Sequence, residues 1–193
     1  MKVAWFAFID RYQALPGDYV YAQQYISGAA NGAGDGFLTI DESPMVFQHL
    51  TGSGYLRCPQ CTSSNSILPS AYNSLQNSYG GIMAIFHDSS YYATLGGPEN
   101  AGSARLQVHT GGRIPSNIIG EVDRKLDDGV ANRGDFVFND YESTSFTPGV
   151  ADCTTKSQSA QSGGTLDESV TLWWRHATAS PPVEPNCGGS VAI

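Results

Sequence analysis

Charge is scarce in this chain. Charged residues make up 15% of its 193 residues, Lys and Arg number 10 against 18 Asp and Glu, and the formal charge is −8. A polyanion binder needs a basic face, so this balance argues against nucleic acid as a partner. Long apolar runs are missing as well. No stretch approaches the ~20 apolar residues of a membrane span, and Met1 opens no charged-then-apolar export signal with a small-residue cleavage site. The chain as it stands reads as soluble, with Met1 as an engineered start and any export signal removed.

Catalytic motifs are equally absent. There is no G-x-S-x-G elbow, no G-x-x-x-x-G-K-[ST] loop and no glycine-rich turn joining strand to helix in a βαβ unit. His49, His87, His109 and His176 fall in four separate segments, none with a second His or carboxylate at zincin spacing, so each reads as structural or surface. No set of nucleophile, base and oxyanion donors can be assembled, and no enzyme is expected.

What the chain does have is 40% hydrophobic residues, 22 Gly and 10 Tyr, enough for a sizeable core in a single globular domain over residues 1–193. That balance is usual in extracellular or periplasmic proteins rich in strands and loops. Four cysteines, an even number, point to an oxidising compartment. Cys58-Pro59-Gln60-Cys61 can be a redox pair, half a zinc site or a small structural bridge. Redox chemistry wants the motif at a helix N-terminus after a strand, and zinc wants a second close pair, which the distant Cys153 and Cys187 do not form. The structural bridge fits best, and Cys153 with Cys187 then closes a long polar loop.

Helical spacing of Trp5, Phe6, Phe8, Ile9 and Tyr12 predicts a helix over 3–15 stopped by Pro16-Gly17, with Asp18 capping a further short turn through Tyr25. Ser43-Pro44 predicts the N-cap of a second helix with Val46, Phe47 and Leu50 on its apolar face. Strands of an antiparallel meander are expected at 81–86, 91–95 and 105–110, with later strands at 135–138 and 170–176. Ile118, Val122 and Leu126, with Ile119, mark a helix between them, and 143–168 reads as a long polar loop. Of the adjacent aromatics Trp173-Trp174 and Tyr91-Tyr92, one member of each pair should face outward.

The run from Asn31 to Glu42 can be laid on a twelve-residue calcium loop, with Asn31, Asp35, Thr39 and Glu42 as side-chain ligands and Gly36 as the turn glycine. Ala33 supplies no ligand, so the competing reading is a glycine-rich turn leading into the Ser43 helix. Calcium is the one candidate cofactor, and none is required. Asp123, Asp127, Asp128 and Gly129 read as a helix end and turn.

Residues 8–18 (Phe-Ile-Asp-Arg-Tyr-Gln-Ala-Leu-Pro-Gly-Asp), the Gly/Asn/Asp loop at 31–36 and residues 47–56 (Phe-Gln-His-Leu-Thr-Gly-Ser-Gly-Tyr-Leu) together resemble the start of the globular region in type IV pilin-like proteins. Val122 to Gly129 is similar to a further block of that family, and the resemblance covers roughly 3–57 and 114–138. It implies a pilin-like α+β fold, an N-terminal α-helix packed on an antiparallel β-sheet. Residues 2–15 would be the C-terminal half of the long N-terminal helix, and 153–187 a disulfide-bounded loop region like that of many pilins. The family's apolar half-helix, leader and early glutamate are not in the sequence, as a truncation before Lys2 would leave it.

The implied function is that of a bacterial type IV pilus subunit at the cell surface. Its partners would be further copies of itself in a helical homopolymer, the assembly machinery, and the inner membrane for the full-length precursor. A periplasmic pseudopilin of type II secretion is the alternative, and a secreted calcium-dependent binding module is the alternative of another class.

Overall fold

The computed structural model describes residues 1–62, 68–88, 104–141, 148–155, 171–175 and 186–193. Its contacts gather into two units, Met1–Gln76 with Ile82–His87 and Ile193, and Asn77–Gly81 with Asp88–Ala192. The expected strand at 91–95, with Tyr91 and Tyr92, lies outside the described residues, as do His176 and most of the 143–168 loop.

In the first unit, α1 (Lys2–Tyr12) buries Trp5 and Phe8, one turn apart on a single face. The helix stops at Tyr12, short of the expected Leu15. Gln13 takes a left-handed conformation (φ 51°), its N–H returning to the Ile9 carbonyl at 2.9 Å and its side-chain amide donating to the Asp10 carbonyl at 2.8 Å. Leu15 precedes proline, where helical backbone is disfavoured, so the chain turns before Pro16 rather than at it. A short α2 (Ala22–Tyr25) follows, but Tyr21 and not Asp18 stands at its start.

A 3₁₀ turn (Ile40–Glu42) leads into α3 (Ser43–Gly52), with Pro44 in the first turn and Val46, Phe47 and Leu50 buried as the spacing predicts. Ser43 is not the cap. It is the first helical residue, and its buried hydroxyl accepts the Ile85 N–H at 2.8 Å, fixing β1 (Ala84–Asp88) against the start of α3. His49 works in the same way within this unit. Its Nδ1 accepts the Gly17 N–H at 2.9 Å, so the proton sits on Nε2, which donates to the Ala30 carbonyl at 2.7 Å, while the ring stacks on Phe8. Cys58 and Cys61 are joined across a second 3₁₀ turn, Pro59–Thr62.

In the second unit, β4 (Gly189–Ala192) runs antiparallel to both β2 (Arg105–His109) and β3 (Phe136–Phe138). Val191 lies opposite Val108 on one side and Phe136 on the other. The last segment of the chain thus inserts between two earlier strands. The Cys153–Cys187 disulfide and the Ile114–Cys187 bridge deliver it there, two residues before β4 begins. Of the expected strand at 170–176, residues 171–175 are described, and there Trp173 and Trp174 make single bridges, to Val130 and Thr154.

α4 (Ser116–Leu126) turns a different face inward from the one its apolar residues mark. Ser116, Ile119, Gly120 and Asp123 are buried, whereas Ile118 and Val122 are each 39% exposed and Leu126 60%. Trp174 dictates this choice. A Cβ at Gly120 would lie 2.8 Å from the Trp174 Cβ, and the indole N–H needs an acceptor, which Asp123 provides at 2.6 Å. Trp174 (2% exposed) joins Ile114, Ile119, Phe136, Phe138 and the 153–187 disulfide in the core, while Trp173 (52%) faces outward, as adjacent aromatics should. A short α5 (Val150–Cys153) carries the first cysteine of that disulfide.

The described residues therefore form a mixed α+β structure with antiparallel strands and two disulfides.

Candidate functional site

The loop from Asn31 to Glu42 closes around the carboxylate of Asp18, a residue whose sequence position marks it as a cap for the turn that follows it. Asp18, 5% exposed, accepts the N–H of Gly34 at 2.5 Å and of Asp35 at 3.2 Å on Oδ1, and that of Gly36 at 2.9 Å on Oδ2. Gly34 and Gly36 hold positive φ (75° and 78°), which turns successive N–H groups to one side and builds an anion nest. A calcium loop points oxygens inward; here the inward groups are donors.

The four candidate calcium ligands each have a local partner. Asn31 Oδ1 accepts the Gln23 N–H at 2.8 Å, and Asp35 Oδ1 accepts the Phe37 N–H at 2.9 Å. Glu42 Oε2 takes both the N–H of Thr39 (2.9 Å) and its hydroxyl (3.0 Å), a capping arrangement that starts the 3₁₀ turn. The loop is fastened to β1 by reciprocal bonds of 2.8 Å, Leu38 N–H to His87 Nδ1 and His87 N–H to the Leu38 carbonyl, with Phe37 stacked on the His87 ring.

Because three donors rest on one buried carboxylate, Asp18→Ala is expected to cost about 2 kcal/mol, the penalty of leaving backbone N–H groups without an acceptor. Urea unfolding checks this, with Asp18→Asn recovering part of the loss. An unchanged midpoint for Asp18→Ala would mean that the loop does not depend on the nest.

A second polar group lies inside the second unit. His109 is fully buried, with Nε2 3.9 Å from Asp88 Oδ2 and its ring 5.1 Å from that of Tyr141, while Asn139 donates to Asp88 at 3.3 Å. Gln107 and Ser190 are buried beside it on β2 and β4. Burial lowers His109 to about 4, against the pull of Asp88 and Asn139 towards the charged form. Asp140 is raised, chiefly by burial.

The third group lies at 123–128, where the sequence predicts a helix end and turn. Asp123, Asp127 and Asp128 each place one carboxylate oxygen within 4.8 Å of the other two, and among the described residues this is the one set of three His, Cys, Asp or Glu side chains so arranged. Asp123 is fully buried, Asp127 half-buried and Asp128 exposed. Burial pushes Asp123 up to about 6; the N–H groups of Trp174 and Gly129 oppose that shift, and Asp128 and Asp127 add to it. The spacing Asp-x-x-x-Asp-Asp-Gly at a helix end was visible in the sequence, but the burial of its first member was not.

The histidines His49, His87 and His109 are not brought together. Neither CxxC pair nor distant cysteines stay free: Cys58 is bonded to Cys61 and Cys153 to Cys187, leaving no free thiol in the chain. Among the described residues no helix is long and apolar enough to cross a membrane. No family model matches the chain, and neither a curated protein nor a solved structure matches it.

Proposed function

We propose that this chain is a structural subunit of a bacterial type IV pilus, acting by assembly and surface display rather than by turnover. The observation that carries the reading is the pair of helices with apolar residues turned outward. α1 leaves Val3 85% and Phe6 57% exposed, and α4 exposes Ile118, Val122 and Leu126 along one stripe. Apolar side chains on a secreted helix gain most when another surface covers them, which suits contacts between copies in a filament. The disulfide joining Cys153 to Cys187 and the sequence blocks at 8–18, 47–56 and 122–129 support the same reading.

The test is deletion of the gene in its own bacterium, with immunogold labelling by antibody raised against this chain. Label along surface filaments in the parent, and loss of filament-dependent attachment or motility in the deletion, is the expected result. Secreted cargo held in the periplasm, with no filament labelled, would put a type II secretion pseudopilin in its place. Filaments and secretion both left intact would end both readings.

A further inference from the structure

We propose that the turn after α4 is a calcium site, with Asp123, Asp127 and Asp128 as its carboxylate ligands. Three oxygens, one from each residue, converge within 4.8 Å, close enough to share one ion. The independent sign is Asp123 Oδ1, which is buried and takes no well-formed hydrogen bond, the nearby Gly129 N–H not closing one, although the other oxygen of the same carboxylate takes the Trp174 N–H at 2.6 Å. A buried carboxylate oxygen without a donor is costly, and like charges beside it add to the cost unless a cation binds. The ion pairs seen among the described residues, Arg124 with Glu121 and His109 with Asp88, include none of the three.

Each of the other two carboxylates is steadied through one oxygen and keeps the second. Asp127 Oδ2 accepts the N–H groups of Asp135 and Phe136, and Asp128 Oδ1 accepts the Val130 N–H at 2.8 Å. That leaves one oxygen of each without a hydrogen bond and open to an ion, and the exposure of Asp128 leaves a way in. The donor set is all oxygen, with no His or Cys, which disfavours zinc. Calcium accepts six to eight oxygens in irregular geometry and fills the rest of its shell with water and carbonyls, whereas magnesium demands a near-ideal octahedron. Three ligating side chains place the affinity in the range of extracellular modules, a Kd of about 10⁻⁴ to 10⁻³ M.

The site is independent of the filament reading, and its test does not use that activity. Terbium replaces calcium at oxygen sites, and the Trp174 indole, bonded to Asp123, is placed to sensitise its emission. With the intact, disulfide-bonded chain, excitation of tryptophan should produce terbium emission that millimolar calcium displaces, and calcium should raise the melting temperature. Asp127→Asn and Asp128→Asn, checked for native near-UV circular dichroism, should each weaken terbium and calcium at least tenfold, while Glu42→Gln leaves both unchanged. A calcium Kd above about 10 mM, or binding that survives both aspartate variants, overturns the proposal. Binding lost in Glu42→Gln but kept in Asp127→Asn also overturns it, and moves the ion to the Asn31–Glu42 loop.

Discussion

Replacing Cys153 and Cys187 together by serine is expected to lower the unfolding free energy by about 4 kcal/mol, and replacing Cys58 and Cys61 by about 2 kcal/mol. The difference follows from chain entropy, since the first pair spans 34 residues of sequence and the second spans 3, and a longer closed loop restricts the unfolded chain more. Packing acts in the same direction. Both sulfurs of the longer bridge lie in the core with Trp174, Phe136 and Phe138, and Cys187 is bridged to Ile114 just before β4 enters between β2 and β3. A loss of about 4 kcal/mol is a large part of the total stability of an ordinary domain. Urea unfolding of the two double variants measures the difference. Amide exchange should locate it, with Ser190 and Val191 losing protection in the first variant and keeping it in the second. Equal losses, or β4 amides that stay protected without the Cys153–Cys187 bond, would mean that strand pairing alone holds the C-terminal segment.

The parts of this fold that were legible in the sequence are those governed by local periodicity. α1 and α3 follow from apolar residues three and four apart, and β2 and β3 from short branched and aromatic runs between turn residues. β4 was not legible. Gly-Gly-Ser-Val-Ala carries little strand propensity, and its place comes from the partners on either side and from Cys187. α4 was legible as a helix but not in its orientation. Its strongest apolar stripe faces out because Trp174 requires a glycine beside its ring and a carboxylate for its N–H, demands set 51 residues away in sequence. Asp18 failed for the same kind of reason. A carboxylate before a short helix has the mark of a cap, and only the folded loop reveals that the N–H groups it serves belong to residues 34–36. Local chemistry was readable, then, and the polar groups that serve distant partners were not. Those groups, at Asp18, Asp123 and His109, make up the candidate sites.

Acidification should expose the last of them. His109 in the folded chain titrates near 4 because burial disfavours its charged form, whereas in the unfolded chain it takes a proton at about 6.5. Between those values the unfolded state binds the proton and the folded state does not. The stability present above pH 6.5 is therefore lost as pH falls towards 4, on the order of 3 kcal/mol. His49, lowered by burial between Gly17 and Ala30, adds in the same direction. Asp123 and Asp140 oppose it, since their carboxyls are raised in the folded chain and gain stability as pH drops through that folded value. The whole-protein curve sums these opposing titrations, so the informative quantity is the difference between the parent and His109→Gln, measured by urea unfolding in chelator. That difference should shift in favour of the variant by on the order of 3 kcal/mol between pH 7 and pH 4, whatever constant offset the lost imidazole packing introduces. Proton NMR of the His109 ring gives a direct check, the imidazole staying neutral through pH 5. A parallel pair of stability curves, or a ring that protonates near 6.5 in the folded chain, would show that Asp88, 3.9 Å away, offsets the burial in full.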